Sequence, residues 1–255
     1  MVMNIHWNAD GYTKNFSFVH EYGSDLIGLF DRKEGTVLDL GCGNGALTRR
    51  LAEAGYSPAG MDASPELLAV AKTSYPELSF FQGDATAFQV PAPYDMIFSN
   101  AVLHWIDREK QDDMLRCVNR ALKLDGQFVF EFGGYGNNIL IHAALERAFQ
   151  RRGHTYTMPF YFPTIGQYAS RLERTGFIVK YAVLFDRMTP LKGENGLYDW
   201  LCMFIKTPFT EISADEKEDI LREVVDHLRP DLYRNETWYS DYVRIRCKAI
   251  KVEEI

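Results

Sequence analysis

The chain has 255 residues, 46% of them hydrophobic and 14% aromatic, with a formal net charge of −7. That suits one large packed domain, or one domain carrying a substantial insertion. No run approaches the roughly 20 apolar residues of a membrane span, the opening MVMNIHWNAD lacks a signal-peptide layout, and the acidic balance argues against a nucleic-acid face.

A cytosolic protein with a small-molecule substrate, a monomer or homodimer, is the expectation. The four cysteines (Cys42, Cys117, Cys202, Cys247) form no C-x-x-C pair and have no histidine at zinc spacing. They read as structural thiols in a reducing compartment, with no metal site.

From Gly35 to Phe132 short apolar runs alternate with amphipathic stretches, the pattern of βαβ units and a parallel sheet. Strands are predicted at Val37–Leu40, Ser57–Met61, Ser79–Gln82, Tyr94–Ser99 and Gln127–Phe132, the last entered through an Asp125-Gly126 turn. Helices are predicted at Ala46–Ala54, Pro65–Ser74 and Lys110–Leu122. Ser64 is a natural N-cap for the second, with Pro65 at its first position.

Past Phe132 the rhythm changes. Gly133–Asn138 reads as a loop, Ile139–Arg152 as a helix, and Thr164–Thr175 as another, stopped by Gly176. Two further strands are expected at Ile178–Asp186 and Tyr242–Val252. Between them about fifty residues read mainly as helix, including Ser213–Leu228 with the capping pattern Ser213-Ala-Asp-Glu216.

The chemistry concentrates at predicted strand ends. In VLDLGCGNG (Val37–Gly45) an apolar strand meets Asp39, and Gly41, Gly43 and Gly45 lead into a helix. Glycines allow positive φ and close ligand approach, and the helix start offers free amides. The spacing G-x-G-x-G differs from the dinucleotide fingerprint G-x-G-x-x-G. Asp62 follows Gly41 by 21 residues at the second strand's end, where an acid can hold both ribose hydroxyls. Asp84, in Gln82-Gly83-Asp84-Ala85, closes the third strand, where a carboxylate suits an adenine amino group; an ordinary Asx-turn is its bland alternative. The fourth strand ends in Ser99-Asn100-Ala101, followed by Val102-Leu103-His104-Trp105.

DLGCGNG, the acid in MDAS, the GDA turn and FSNAVLHWI resemble the successive motifs of class I S-adenosylmethionine-dependent methyltransferases over roughly residues 35–132. FSNAVLHW, the Tyr161–Gly176 segment and the insertion look like the trans-aconitate methyltransferase group, which methylates a carboxylate of a small polyacid. The resemblance implies a Rossmann-like, doubly wound α/β fold. Its mostly parallel seven-stranded sheet would have an antiparallel last strand, with a helical insertion as a lid.

The implied layout is an N-terminal helical lid segment over residues 1–34, a core over 35–186 and 240–255, and a covering insertion over 187–239. The implied cofactor is S-adenosylmethionine. Asp39 and Gly41 would border its methionine end and Asp62 its ribose, with Gly43 also in contact with the cofactor. Ala63, Asp84 and Ala85 would frame the adenine, and the Asn100 carbonyl would meet the ammonium. Trp7 and Tyr12 resemble the group's aromatic lid residues.

His104 is the candidate catalytic residue, as a base or as a donor to an anionic acceptor; a core histidine near the sheet is the alternative. The basic residues Arg151, Arg152, His154 and Lys206 could neutralise a polyacid or simply face solvent. The aromatic run Tyr156–Phe162 suits either a pocket roof or core packing. Rival functions are a nicotinamide oxidoreductase, a non-catalytic cofactor-binding protein, and an N- or phenolic O-methyltransferase.

Overall fold

The computed structural model describes Gly23 and residues 25–253, so Trp7 and Tyr12 lie outside the described residues. The first half alternates β1 (Thr36–Leu40), α1 (Ala46–Glu53), β2 (Ser57–Asp62), α2 (Pro65–Ser74), β3 (Ser79–Gln82), β4 (Tyr94–Asn100), α3 (Gln111–Ala121) and β5 (Leu122–Gly133). The second half adds α4 (Ile139–Gln150), α5 (Ile165–Arg174), β6 (Phe177–Leu191), α6 (Gly196–Phe204), α7 (Ala214–Leu232), the two-residue β7 (Tyr233–Arg234) and β8 (Thr237–Lys251).

The sheet runs β3-β2-β1-β4-β5-β8-β6, with β7 paired to β8. β8 is antiparallel to both β5 and β6, while β1 to β5 pair in parallel. This is the doubly wound, mostly parallel architecture expected, with seven strands along its main path. The connection order reverses between β1 and β4, which opens a crevice at their carboxyl ends.

The central strands are apolar because both of their faces are covered. Val37, Leu38 and Leu40 of β1 and Met96, Ile97 and Phe98 of β4 are fully buried. On one face Phe128, Phe130 and Phe132 pack with Leu115 and Val118 of α3 and Tyr168 and Leu172 of α5. On the other face Val129 and Phe98 meet Leu47 and Leu51 of α1, together with Leu26 and Phe30. Local signals agree with these placements. Ser64 Oγ accepts from the Leu67 amide at 3.2 Å ahead of Pro65, and Thr164 and Gln167 close a reciprocal capping box on α5.

Three elements differ from expectation. β5 begins at Leu122, and its pairing with β4 shifts register between Tyr94 and Met96, so Asp125-Gly126 sits within an irregular strand rather than before one. β6 and β8 form a hairpin longer than Ile178–Asp186 and Tyr242–Val252, because Arg187–Leu191 pairs with Trp238–Tyr242. The polar, proline-containing stretch Arg187–Leu191 carries no strand signal; Pro190 is tolerated because β6 is an edge strand. Helix α7 runs through Pro230 to Leu232, since Leu228 and Leu232 are both buried and the lost amide bond falls in its last turn.

The hairpin extension supports a second core. Trp238, Leu191 and Tyr242 pack with Ile141 and Leu145 of α4, Leu197, Trp200 and Leu201 of α6, and Ile220, Leu221 and Val224 of α7. Among the described residues no helix is long and apolar enough to cross a membrane.

Candidate active site

The β1–α1 turn takes all three of its glycines into positive φ: Gly41 at 79°, Gly43 at 54° and Gly45 at 80°. They serve different ends. A Cβ on Gly41 would stand 2.2 Å from Val102 Cγ2, so this glycine lets the turn press against the segment after β4. Among the described residues, a Cβ on Gly43 would meet nothing within 4 Å, so this side of the crevice is open to a ligand. Gly41→Ala should therefore unfold the turn and lower both Tm and cofactor affinity. Gly43→Ala should cost only about 1–2 kcal/mol of left-handed strain yet lose cofactor affinity. Thermal melts beside calorimetric titration separate the two.

Asp62, at the end of β2, is fixed by that turn. Its Oδ2 accepts from the Gly43 amide and its Oδ1 from the Ser64 amide, each at 2.8 Å. Desolvation raises its pKa, and the backbone amides oppose the shift. Asp39 lies deeper, 2% exposed, with Thr48 Oγ1 donating to Oδ2 at 2.6 Å. Burial pushes its carboxyl up to about 7, against the Thr48 hydrogen bond and with help from the nearby Asp62 charge. A cationic group arriving beside Asp39 would stabilise its ionised form.

At the end of β3, Asp84 Oδ1 closes an Asx-turn, accepting from the Thr86 amide and hydroxyl at 2.8 Å each. The bland reading of Asp84 thus holds for one of its oxygens, and the turn carries Ala85 beside it. Ala63 accepts through its carbonyl from Gln82 Nε2, which ties the ends of β2 and β3 together. Asn100 ends β4, and Ala101 turns sharply at φ 60°, held by its amide to the Glu131 carbonyl at 2.8 Å. The structure brings Asp39, Gly41, Gly43, Asp62, Ala63, Asp84, Ala85 and Asn100 to the carboxyl ends of β1 to β4.

Beyond Ala101 lies a second cavity, lined by His104, Trp105, Asn137, Asn138, Phe160, Phe162, Trp200, Phe204, Tyr242 and Arg244. It sits where the sheet meets the second core. Phe160 and Phe162 stack on each other at 5.4 Å and flank His104 at 5.9 and 6.0 Å, so part of the aromatic run does roof the cavity. His104 Nδ1 accepts from the Gly133 amide at 3.2 Å. The ring is only 8% exposed, and burial, with the Arg244 charge adding to it, drives its pKa well below the ordinary value. The imidazole is neutral, its lone-pair nitrogen is taken, and Nε2–H is the polar group left to face a ligand.

The basic residues named from sequence are not in this cavity. Arg151 and Arg152 pair with Glu223 of α7, and His154 lies 3.1 Å from Glu216. These pairs tie α4 and its C-terminal turn to α7 instead. The cation that does line the cavity, Arg244 of β8, escaped notice. The only signal was the alternation Arg244-Ile-Arg246-Cys-Lys248, which reads as an ordinary half-buried strand.

A crevice at a sheet's switch point, with a glycine turn and an amide-anchored acid beside it, fits a nucleoside-bearing cofactor. Comparison narrows the class. A family model described as a methyltransferase domain matches residues 37–126. An uncharacterized methyltransferase of Schizosaccharomyces pombe is 30% identical over 259 aligned residues, which cover 96% of this chain and 98% of the relative. An uncharacterized methyltransferase of Bacillus cytotoxicus is 29% identical, covering 68% of this chain and 82% of that one. A putative methyltransferase of Bacillus halodurans shares the fold with a TM-score of 0.64 at 14% identity, covering 90% of this chain and 98% of its own.

The chain belongs to the methyltransferase family, and S-adenosylmethionine is its methyl donor. The residues present fit that donor. Gly43 leaves its side of the crevice open, and Asp62 offers an amide-anchored carboxylate suited to a vicinal diol.

Proposed function

We infer that the protein methylates a carboxylate oxygen of a small organic acid, of the trans-aconitate kind. In this reading Asp62 holds the cofactor ribose, Asp84 and Ala85 frame its adenine, and Asp39 and Asn100 receive its methionine end. The helical segment between β6 and β8 covers the acceptor, in a cytosolic enzyme.

The single observation that carries the carboxylate is the state of His104. Bound S-adenosylmethionine supplies a strongly electrophilic methyl group; the chain's own residues need only align an acceptor with it and exclude water. Such positioning is worth roughly 7–11 kcal/mol. An alcohol, phenol or ammonium acceptor would also need a base. His104, the histidine lining the cavity, has its acceptor nitrogen bonded to the Gly133 amide and offers a hydrogen-bond donor instead. A carboxylate arrives already ionised at neutral pH and can accept from that donor.

The test is methyl transfer to a panel of organic acids, trans-aconitate among them, beside amines and phenols, with alkali-labile methyl ester as the product. For an acid acceptor, kcat/KM should stay level from about pH 6 to about pH 9, because the acid is ionised and His104 is neutral throughout. His104→Phe should lower it roughly tenfold to a hundredfold, and His104→Gln, which restores an N–H donor, should recover part of the loss. Methylation of an amine or phenol with no ester formed would sink the reading. Cofactor binding without any turnover would favour a non-catalytic role.

A further inference from the structure

The geometry points to Arg244 as the specificity-determining residue of the cavity, where it holds an anionic group of the acceptor other than the one that is methylated. This rests on the proposed methylation of an organic acid.

On β8, Arg244, Arg246 and Lys248 share one face, opposite Ile245, Cys247 and Ala249, which enter the core. Arg246 is paired with Glu131 at 2.7 Å and Lys248 with Asp31 at 2.8 Å. Arg244 has no carboxylate partner among the described residues, although it is only 9% exposed. The neighbouring acid, Glu131, is already committed to Arg187 and Arg246. What holds Arg244 is a long contact of 3.4 Å from its NH1 to Asn137 Oδ1, a hydrogen bond with Tyr242, whose ring lies 3.9 Å from the guanidinium carbon, and the more distant charge of Glu131. Tyr242 is itself pinned by Trp200, whose Nε1 donates to its hydroxyl at 2.7 Å.

A buried guanidinium without a counter-ion is costly. Here it is fixed in place mainly by Tyr242, with no salt-bridged carboxylate among the described residues, and it lines the same cavity as the Nε2–H of His104. Water-poor aromatic walls strengthen any ion pair formed there. An arriving carboxylate would supply the missing counter-ion with two matched hydrogen bonds.

That carboxylate is not the nucleophile. Methylation removes the charge of the oxygen it modifies: the new O–CH3 bond forms as the S–CH3 bond breaks, and the sulfonium leaves as a neutral thioether. A cation clamped on the reacting group would stabilise the ground state more than the transition state and slow transfer. Arg244 is therefore productive when it grips a second anionic group that stays charged through the reaction.

Two measurements on the full chain test this. The first needs no turnover: sodium sulfate is titrated into protein saturated with S-adenosylhomocysteine, following tryptophan fluorescence, since Trp105 and Trp200 line the cavity. The second measures transfer to butyrate, glutarate and tricarballylate. Wild type is expected to bind sulfate and to prefer the polyacids to butyrate. Arg244→Gln should weaken sulfate, and raise KM for the polyacid, roughly tenfold to a hundredfold. Its kcat should change little, and Arg244→Lys should fall in between. S-adenosylmethionine affinity should match wild type in both variants.

Wild-type sulfate affinity or polyacid KM in Arg244→Gln overturns the assignment, as does no sulfate binding by wild type. A parallel loss of S-adenosylmethionine affinity would make Arg244 a structural residue and overturn it too. If Arg244-dependent sulfate binding is found but no acid is methylated, the anion site stands and the carboxylate-methylation reading falls.

Discussion

Replacing Asp62 with alanine is expected to weaken S-adenosylmethionine binding by about a hundredfold or more while leaving the apo protein folded. The Asp62 carboxylate is held by the Gly43 and Ser64 amides, which use one direction on each oxygen. The Ala63 amide also opposes the rise in pKa, and burial makes the charge costly until further donors complete its shell. Two ribose hydroxyls would do so with charge-assisted hydrogen bonds, each contributing about 1.5–3 kcal/mol. Loss of both predicts at least about 3 kcal/mol, or two decades in Kd. Asp62→Asn keeps an acceptor for Gly43 but not the charge, so its loss should be intermediate. Isothermal titration of the three proteins reads this directly, and wild-type affinity in Asp62→Ala would remove the residue from the cofactor site.

The largest stability effect is expected at Glu131. Its carboxylate is 2% exposed and bridges Arg187 and Arg246, while its backbone carbonyl receives the Ala101 amide. Removing one partner of a buried pair leaves the other charges uncompensated, at about 3–5 kcal/mol. Glu131→Ala removes the carboxylate shared by two guanidiniums whose side chains are 14% and 16% exposed, with Arg244 close enough to feel Arg187. For a domain of this size the fall in Tm should be roughly 6–20 °C. Glu131→Ala combined with Arg246→Leu should recover part of it, because the second change removes one stranded charge. Calorimetry showing Glu131→Ala within about 2 °C of wild type would mean that the bridge contributes little net stability.

How far the site was legible depended on where each residue's partners lie in the chain. The placement of Gly41, Gly43, Asp62 and Asp84 was readable because each lies at a strand's end, within a few residues of a turn that suits glycine or a short acid. His104 was visible as a histidine at a sheet end. Its tautomer was not, because that is set by the amide of Gly133, 29 residues away. Arg244 was invisible for the same reason. A strand's alternation tells which residues share a face, and only packing tells which charge on that face lacks a partner. Arg151 and Arg152, open in sequence between a polyacid and solvent, do neither: their charges are answered by Glu223, on a helix distant in sequence.

The sequence by itself determined the five parallel strands, the glycine turn and the N-caps of α2 and α7, because these depend on local periodicity, backbone freedom and short-range hydrogen bonds; the methyltransferase class was legible through the resemblance of its motifs to a known family. The tertiary structure alone decided the long β6–β8 hairpin, the continuation of α7 through Pro230, the neutral donor state of His104 and the lack, among the described residues, of a carboxylate bonded to Arg244. Each of these is settled by a neighbour far along the chain: Trp238 beside Leu191, the second core around Leu232, Gly133 against His104, and Glu131 already occupied by two other arginines.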